Sequence, residues 1–291
     1  MYIKYHIIIR KYIEVLANLL HLKTFLTGFI LILSLLILSA VGFFIIDYKY
    51  TYAGAFEPEK PPDGTNILGT DVLGRDIFAQ IIYAIPSSLA VGIVAGAIGT
   101  IIGSLVGFIA GYYRGNLDNI LRLLIDVFLS LPSLLILVLI ASYYRGTDYI
   151  TMALIISIFN WAWPARQVRA QVLSLRERDF VMLAKLSNMS NYEIIVRELM
   201  PHMMPWMFAN FINATISAIL TESSLSIIGL GPQRSITLGM VLYWSLSYAS
   251  IYRGIWWWWL SPVILLGILF LSLYMIYMGV TKYFSEREVI I

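Results

Sequence analysis

Several long runs of this chain carry no charged side chain, and these runs limit the possible folds more than any other feature. Residues 25–46 and 87–113 contain no Asp, Glu, Lys or Arg. A helix rises about 1.5 Å per residue, so a run of about 22 residues crosses a hydrocarbon core of about 30 Å. With 59% hydrophobic and 13% charged residues, the chain also lacks the charge that a soluble protein needs to cover its surface. The sequence therefore predicts an all-α integral membrane protein.

The apolar segments predict six transmembrane helices. The predicted spans are residues 25–46, 87–113, 127–144, 149–165, 205–230 and 256–281. A cleavable signal peptide is rejected because the first run is longer than the apolar part of a signal peptide. We expect residues 1–46 to form a cytoplasmic segment and the first span, residues 47–84 an extracytoplasmic loop, residues 85–284 the transmembrane domain and residues 285–291 a cytoplasmic tail.

The distribution of positive charge predicts the orientation. With the N-terminus inside, the inner segments hold 14 of the chain's 20 Lys and Arg. Four lie in the lead-in, two around the loop between spans two and three, six between spans four and five, and two in the tail. Cytoplasmic segments are enriched in Lys and Arg, so both termini are predicted to be cytoplasmic. The net charge of +3 gives no indication of nucleic-acid binding, and the absence of cysteine excludes disulfides and thiolate chemistry.

Glycines recur at intervals of three or four residues along the second span and predict a smooth helix face. Such a face lets another helix approach closely, either within this chain or from a second subunit. The glycines are Gly92, Gly96, Gly99, Gly103, Gly107 and Gly111.

Few acids lie within the spans, and each needs a partner in lipid. We expect Asp126 to pair with Arg122, four residues earlier on the same helix face. Glu222 is the most deeply placed acid, and we favour structural hydrogen bonding for it over contact with a transported solute. In the outer loop, Asp71, Arg75 and Asp76 can form local ion pairs, and we expect them on a solvated surface and not in a ligand site.

Tryptophans near the ends of spans predict anchors at the membrane interface. Trp161 and Trp163 are expected at the inner end of span four. The run Trp256 to Trp259 is expected to form an aromatic belt at the head of span six.

Residues 176–201, RERDFVMLAKLSNMSNYEIIVRELMP, are polar in an otherwise apolar chain and predict two short helices joined by a tight turn. The first helix presents one apolar face, and Asn188 ends it because asparagine tolerates the left-handed conformation. Ser190 and Glu193 form a capping box that begins the second helix. Pro201 is expected to break or kink that helix. The face contains Phe180, Leu183, Ala184, Leu186 and Met189.

On pattern alone, two amphipathic helices lying at the lipid interface explain this segment better than docking to a partner does. His202, beside Pro201, fits an interfacial role in the same way.

Three separated segments resemble one known family, and the resemblance favours docking. WPARQVRAQVLSLRERDFVMLAKLSNMSNYEIIVRELMP at 163–201 resembles the cytoplasmic loop of type I permease subunits of ABC importers, the MetI-like bundle. LGTDVLGRDIFAQIIYAIPSSLAVG at 68–92 and ESSLSIIGLG at 222–231 are similar to the C-type permeases of the dipeptide, oligopeptide and nickel group.

The family's loop pattern is kept in spacing but not in every residue. Met182 stands where the pattern has an acid, Asn188 where it has glycine, and Glu198 where it has an apolar residue. Asn188 can still adopt the turn conformation that glycine provides.

The resemblance implies an importer in which this chain pairs with a homologous permease. Two ABC ATPase subunits would bind ATP and Mg, and an extracytoplasmic solute-binding protein would deliver the solute. The two-helix segment would sit in a groove of one ATPase subunit. The residues carried over to this coupling role are Phe180, Leu183, Ala184, Asn188, Ser190, Glu193, Ile195, Leu199 and Pro201. No cofactor or metal is expected in this chain itself, because no lysine follows a glycine and a phosphate-binding loop is absent.

Two other classes of function fit less well. A hydrolase would need a His-Glu-x-x-His or Gly-x-Ser-x-Gly motif, and neither occurs. A secondary transporter would show internal repeats and several intramembrane charges. The solute stays open among peptides, nickel and oligosaccharides, with peptides the default of the resemblance.

Overall fold

The computed structural model describes residues 18–144 and 146–288, with side chains up to residue 284. The basic lead-in residues Lys4, Arg10 and Lys11, the loop residue Arg145, the side chain of Arg287 and the end of the predicted tail lie outside this part.

The described chain is an all-helical bundle. Its helices are α1 (Lys23–Ile45), α2 (Ile77–Tyr113), α3 (Gly115–Ser130), α4 (Ser133–Tyr143), α5 (Tyr149–Asn160), α6 (Ala162–Leu175), α7 (Asp179–Leu186), α8 (Asn191–Ile227), α9 (Leu238–Ser247) and α10 (Trp256–Glu288). Within the described residues, β pairing is limited to one bridge between Thr70 and Asp76.

Four helices are long and apolar enough to cross a membrane: α1, α2, α8 and α10. The pair α3 and α4 passes the same test together but bends by 76° at its break, where Pro132 follows Leu131. The predicted fourth span is α5 and the first turn of α6, divided at Trp161, and α5 alone is short. The structure thus has four or five spans by length and composition, and the total of six stays a prediction.

Helix α2 is the central element, in contact with α1, α5, α6 and α8. It begins at Ile77, ten residues before the predicted span, because Asp76 accepts a hydrogen bond from the Ala79 amide and caps it. Pro86 inside α2 leaves the carbonyl of Ile82 without its usual helical donor. The Ser39 hydroxyl of α1 donates to that carbonyl at 2.7 Å and fastens α1 to α2.

The glycines of α2 lie against other helices of the same chain. A β-carbon at Gly92 or Gly96 would meet α8, at Ile219 and Thr215. One at Gly99 or Gly103 would lie 2.6 and 2.5 Å from the backbone oxygens of Asn160 and Trp161, and Gly107 and Gly111 approach α6 as closely. The smooth face therefore serves this chain's own bundle.

The outer loop is an ordered structure, and the expectation of a solvated surface for its acids is wrong. Asp71 and Asp76 are buried. The local ion pair is confirmed for Asp71 and Arg75, at 2.5 Å. The carboxylate of Asp71 accepts hydrogen bonds from the backbone of Leu73 and Arg75 and from the side chains of Arg75 and Gln80. An exposed pair contributes little, whereas this buried carboxylate organises the turn that precedes α2.

Two tryptophans that we expected at the membrane interface, Trp161 and Trp258, are buried, so this expectation is wrong for them. Trp161 is buried against α3, and Trp258 is fully buried; only Trp256 of the run Trp256–Trp259 is exposed. The indole of Trp257 donates to the carbonyl of Thr70 at 3.2 Å. The tryptophans at the head of α10 thus pack under the outer loop instead of forming a uniform belt.

Candidate functional site

The polar segment folds as a helical hairpin at the end of the bundle where α2 ends. We call residues 179–200 the coupling hairpin. Helix α7 ends in a Schellman motif: the Met189 amide donates to the Ala184 carbonyl and the Asn188 amide to the Lys185 carbonyl. Asn188 has φ 60°, the left-handed conformation that the sequence analysis expected of it.

Helix α8 begins with the predicted capping box. The Ser190 hydroxyl accepts from the Glu193 amide, and the Glu193 carboxylate accepts from the Ser190 amide at 3.0 Å. Met189 before the cap and Ile194 after it belong to one apolar cluster, which fixes the angle at which the chain enters α8.

Of the break or kink expected at Pro201, the break is wrong. The helix runs without interruption from Asn191 to Ile227. Residues Ile194–Leu199, just before the proline, are a π-helix, a rare form that occurs mostly as a short bulge within an α-helix. The second half of the coupling hairpin is therefore continuous with a membrane-spanning helix.

Several contacts hold the hairpin to the bundle. The Tyr112 hydroxyl at the end of α2 donates to the Asn191 side chain at 2.9 Å. The Arg176 guanidinium donates to the Tyr112 carbonyl and lies over its ring. The Phe180 and His202 rings stack at 4.6 Å, joining α7 to α8.

The coupling residues named from the resemblance divide into two groups. Leu183, Asn188, Ser190 and Glu193 are accessible or half-buried, and Phe180, Ile195 and Pro201 are not fully buried. Ala184 and Leu199 are buried in an apolar cluster with Val168, Val172 and Met203. Leu199 has 0% exposure, so the expectation that its side chain fills a groove of another protein is wrong; it holds the hairpin together.

The exposed apolar surface of the hairpin differs from the predicted set. Leu186 is 78% exposed, Tyr192 is 72% exposed, and Met182 and Leu183 are also exposed. Met182 and Tyr192 were missed. The predicted apolar face of α7 is divided, because Leu183 and Leu186 are exposed whereas Ala184 is buried. These four side chains form what we call the hairpin tip: Met182, Leu183, Leu186 and Tyr192.

Ion pairs connect α6, which leads into the hairpin, with α3. Arg169 forms a two-point ion pair with Asp118, with N–O distances of 2.6 and 2.8 Å. The expected ion pair between Asp126 and Arg122 is present at 3.7 Å. Asp126 has a second and nearer partner, Arg166 of α6, at 2.5 Å.

Glu222 lies fully buried on α8 at the opposite end of the bundle. Its Oε1 accepts hydrogen bonds from Ser226 and from Thr237, both at 2.7 Å. Thr237 also caps α9 by accepting from the Met240 amide. Glu222 therefore ties α8 to α9, and within the described residues no group of three His, Asp or Glu side chains is placed to hold a metal ion.

This fold and this hairpin define a class: a multi-pass membrane component with a helical hairpin projecting from one end. Residues 103–289 match the family described as the inner membrane component of binding-protein-dependent transport systems. The match covers more than half of the chain, and the chain belongs to that family.

Relatives agree with this assignment. The dipeptide transport system permease protein DppC of Bacillus subtilis (strain 168) is 29% identical over 235 residues, covering 81% of this chain and 73% of the relative. DppC of Alkalihalophilus pseudofirmus is 31% identical over 211 residues, covering 72% of this chain and 69% of the relative. The oligopeptide transport system permease protein OppC of Mycobacterium tuberculosis (strain ATCC 25618 / H37Rv) is 26% identical over 185 residues, covering 63% and 64%.

The fold has a solved counterpart. One chain of the MetNI methionine ABC transporter in an inward-facing crystal form superposes with a TM-score of 0.57 at 17% identity, covering 71% of this chain and 95% of that chain. The likeness is one of fold: an ABC importer permease bundle.

Proposed function

We propose that this chain, with a homologous permease, forms the pathway of an ATP-driven importer of dipeptides or oligopeptides. ATP and Mg are bound by two ATPase subunits, one of which receives the hairpin tip, and an external binding protein delivers the peptide. Both termini lie in the cytoplasm of a cell whose inner or plasma membrane holds the bundle. The relatives named above are dipeptide and oligopeptide permeases, which supports peptides as the solute.

The observation that carries the pathway is a polar stripe on α8. One accessible sector of this helix holds Asn210, Asn213, Ser217, Thr221 and Ser224, with Leu220 among them. In the described structure the amides of Asn210 and Asn213 make no hydrogen bond. An unpaired amide in hydrocarbon costs several kcal/mol, on the order of 2–7. This sector is therefore poorly suited to face lipid.

Helix α2 differs from α8. The exposed side chains of α2 before its last residue, Tyr113, are all aliphatic: Ile93, Ile101, Ile102, Leu105 and Ile109. Lipid covers such a surface without cost. The contrast favours a water-filled path along α8, lined by uncharged donors and acceptors that suit the backbone amides of a peptide.

The hairpin supports the coupling to ATP hydrolysis. Its tip exposes four large apolar side chains on a segment that also carries Arg178, Lys185 and Arg197. A partner that covers the tip would gain apolar burial. Because α8 continues from the hairpin to the polar stripe, closure of the ATPase subunits would reorient the pathway directly.

Uptake by the reconstituted transporter tests the proposal. Proteoliposomes with the binding protein, both permeases and the ATPase subunits should take up labelled dipeptide when ATP is present. Asn213→Leu or Ser217→Leu should lower uptake about tenfold, the effect of losing one hydrogen bond of about 1.4 kcal/mol. Ile101→Leu on the apolar face of α2 is the control and should leave uptake unchanged.

Other outcomes would overturn parts of the proposal. Uptake that ATP does not affect would remove the ATP-driven mechanism. Uptake of Ni²⁺ or an oligosaccharide in place of peptide would contradict the assignment of peptides as the solute. Wild-type uptake by both α8 variants would remove the polar stripe from the pathway.

A further inference from the structure

A cavity of about 460 Å³ opens at the end of the bundle opposite the coupling hairpin. One wall is aromatic: the ring of Tyr83 meets Phe43 at 4.6 Å and Tyr48 at 4.8 Å, edge to face. The Tyr83 hydroxyl donates to the Ile46 carbonyl at 2.9 Å and fixes this wall. The other wall is formed by Tyr149, Arg234, Ser235 and Ile236. None of the lining residues belongs to the polar stripe of α8.

The cavity contains an unpaired positive charge. Arg234 is exposed, and in the described structure no carboxylate lies within ion-pair distance of its guanidinium. Asp148 is near enough for the charge of Arg234 to help lower its pKa, although a hydrogen bond from the Thr151 amide is the main cause. The guanidinium is therefore available to an anion, and arginine matches the geometry of phosphate oxygens.

Hydroxyl groups surround this charge. The Tyr48 and Tyr149 hydroxyls have no hydrogen-bond partner in the part of the chain that the structure describes. The Ser235 hydroxyl accepts from the Tyr149 amide at 3.2 Å and can still donate. The Ser87 hydroxyl already donates its hydrogen to the Tyr83 carbonyl at 3.1 Å and is not available as a donor. The hydroxyls of Tyr48, Tyr149 and Ser235 can thus add neutral donors to one cationic donor, which suits a phosphate group.

An apolar track leaves the floor of the cavity. Pro86 and Ala90 form that floor, and Ile93, Ala97 and Ile101 follow on the same face of α2 at intervals of three or four residues. Ile93 and Ile101 are exposed. The track extends about 22 Å along the helix at about 1.5 Å per residue. It points from the end of the bundle toward the middle of the membrane.

We propose that this cavity binds a membrane lipid, with its phosphate headgroup against Arg234 and one acyl chain along the α2 track. A free anion would use the charge but not the track. A neutral lipid would use the track but not the charge. The combination of a cationic pocket and an apolar face in register with it fits a phospholipid at the membrane surface.

Lipid titration of the purified full-length chain, followed by native mass spectrometry, tests this site. The probes are phosphatidylglycerol, diacylglycerol with the same acyl chains, and inorganic phosphate. Wild-type chain should bind phosphatidylglycerol at least tenfold more tightly than diacylglycerol, and inorganic phosphate should not compete. Arg234→Gln should weaken phosphatidylglycerol binding at least tenfold and leave diacylglycerol binding unchanged, since hydrogen bonds to charged groups are stronger than those between neutral groups.

A matched control is available at the same end of the bundle. Arg253 is also exposed, but its guanidinium is paired with Glu59, so Arg253→Gln should leave lipid binding unchanged. Tyr149→Phe keeps the ring, removes one hydroxyl and should weaken phosphatidylglycerol binding by a smaller factor, which keeps the test open if Arg234→Gln does not fold. Equal affinity of wild type and both cavity variants for phosphatidylglycerol would overturn the site. Competition by inorganic phosphate would show that the cavity binds a free anion and would overturn the proposal that it binds a phospholipid.

Discussion

The Tyr112 hydroxyl donates a hydrogen bond to the Asn191 side chain at 2.9 Å, and this bond joins the last turn of the central helix to the first turn of α8. The two residues are 79 positions apart in sequence. The bond therefore attaches the coupling hairpin to the end of α2, where the hairpin meets the rest of the bundle.

Tyr112→Phe removes this hydroxyl and keeps the ring. We expect the hairpin to open locally more often, with a loss of about 1 kcal/mol or about a fivefold rise in amide exchange. Hydrogen exchange of residues 179–200 measures the change. Tyr113→Phe is the control, because no hydrogen bond from the neighbouring exposed hydroxyl is present in the described structure. Equal exchange in both variants would mean that the bond does not hold the hairpin.

The turn of the hairpin depends on the left-handed conformation of Asn188. Asn188→Gly should preserve the stability of the turn, whereas Asn188→Val should destabilise it by about 1–2 kcal/mol, the cost of this conformation for an ordinary L-residue. Ser187 has φ −77°, so Ser187→Val places the same side chain on ordinary backbone. We expect the Ser187 change to cost about 0.5 kcal/mol or less. Exchange rates that are the same in the two valine variants would contradict the role of φ.

The approach of α2 to the α5–α6 break leaves no room for a side chain at Gly103. A β-carbon there would lie 2.5 Å from the Trp161 carbonyl oxygen, whereas one at Gly267 of α10 would meet no atom within 4 Å. Gly103→Ala should therefore lower the thermal unfolding temperature, at a cost of about 1–3 kcal/mol. Gly267→Ala should be neutral or raise it, since alanine favours helix by about 1 kcal/mol. Similar shifts for both variants would argue against close packing at Gly103.

Local features could be predicted from the sequence, and contacts between distant segments could not. The capping box depends only on Ser190 and Glu193, which are three residues apart. The turn depends only on the residue type at position 188, because asparagine tolerates a positive φ. By contrast, Asp126 takes its nearer partner, Arg166, from a helix 40 residues away. A pairing rule for one helix cannot find such a contact.

The orientation of the hairpin shows the same limit. Apolar spacing assigned Leu183, Ala184 and Leu186 to one face of α7, but Ala184 is buried whereas Leu183 and Leu186 are exposed. The bundle itself covers Ala184 and Leu199, through α6 and Met203. The side chains left for another protein are Met182, Leu183, Leu186 and Tyr192. Met182 could not be predicted because the family pattern has an acid at its position. Tyr192 could not be predicted because it is a single aromatic residue outside the apolar spacing.

Site-specific cross-linking tests the central claim that the hairpin tip contacts an ATPase subunit. The chain has no cysteine, so a single introduced cysteine is unique. Leu186→Cys, at the tip, and Tyr252→Cys, 93% exposed at the opposite end of the bundle, are compared in the assembled transporter. A short bifunctional reagent should join the Leu186 variant, and not the Tyr252 variant, to an ATPase subunit. An assembled transporter in which the Leu186 variant gives no such product, or in which only the Tyr252 variant does, would contradict the account.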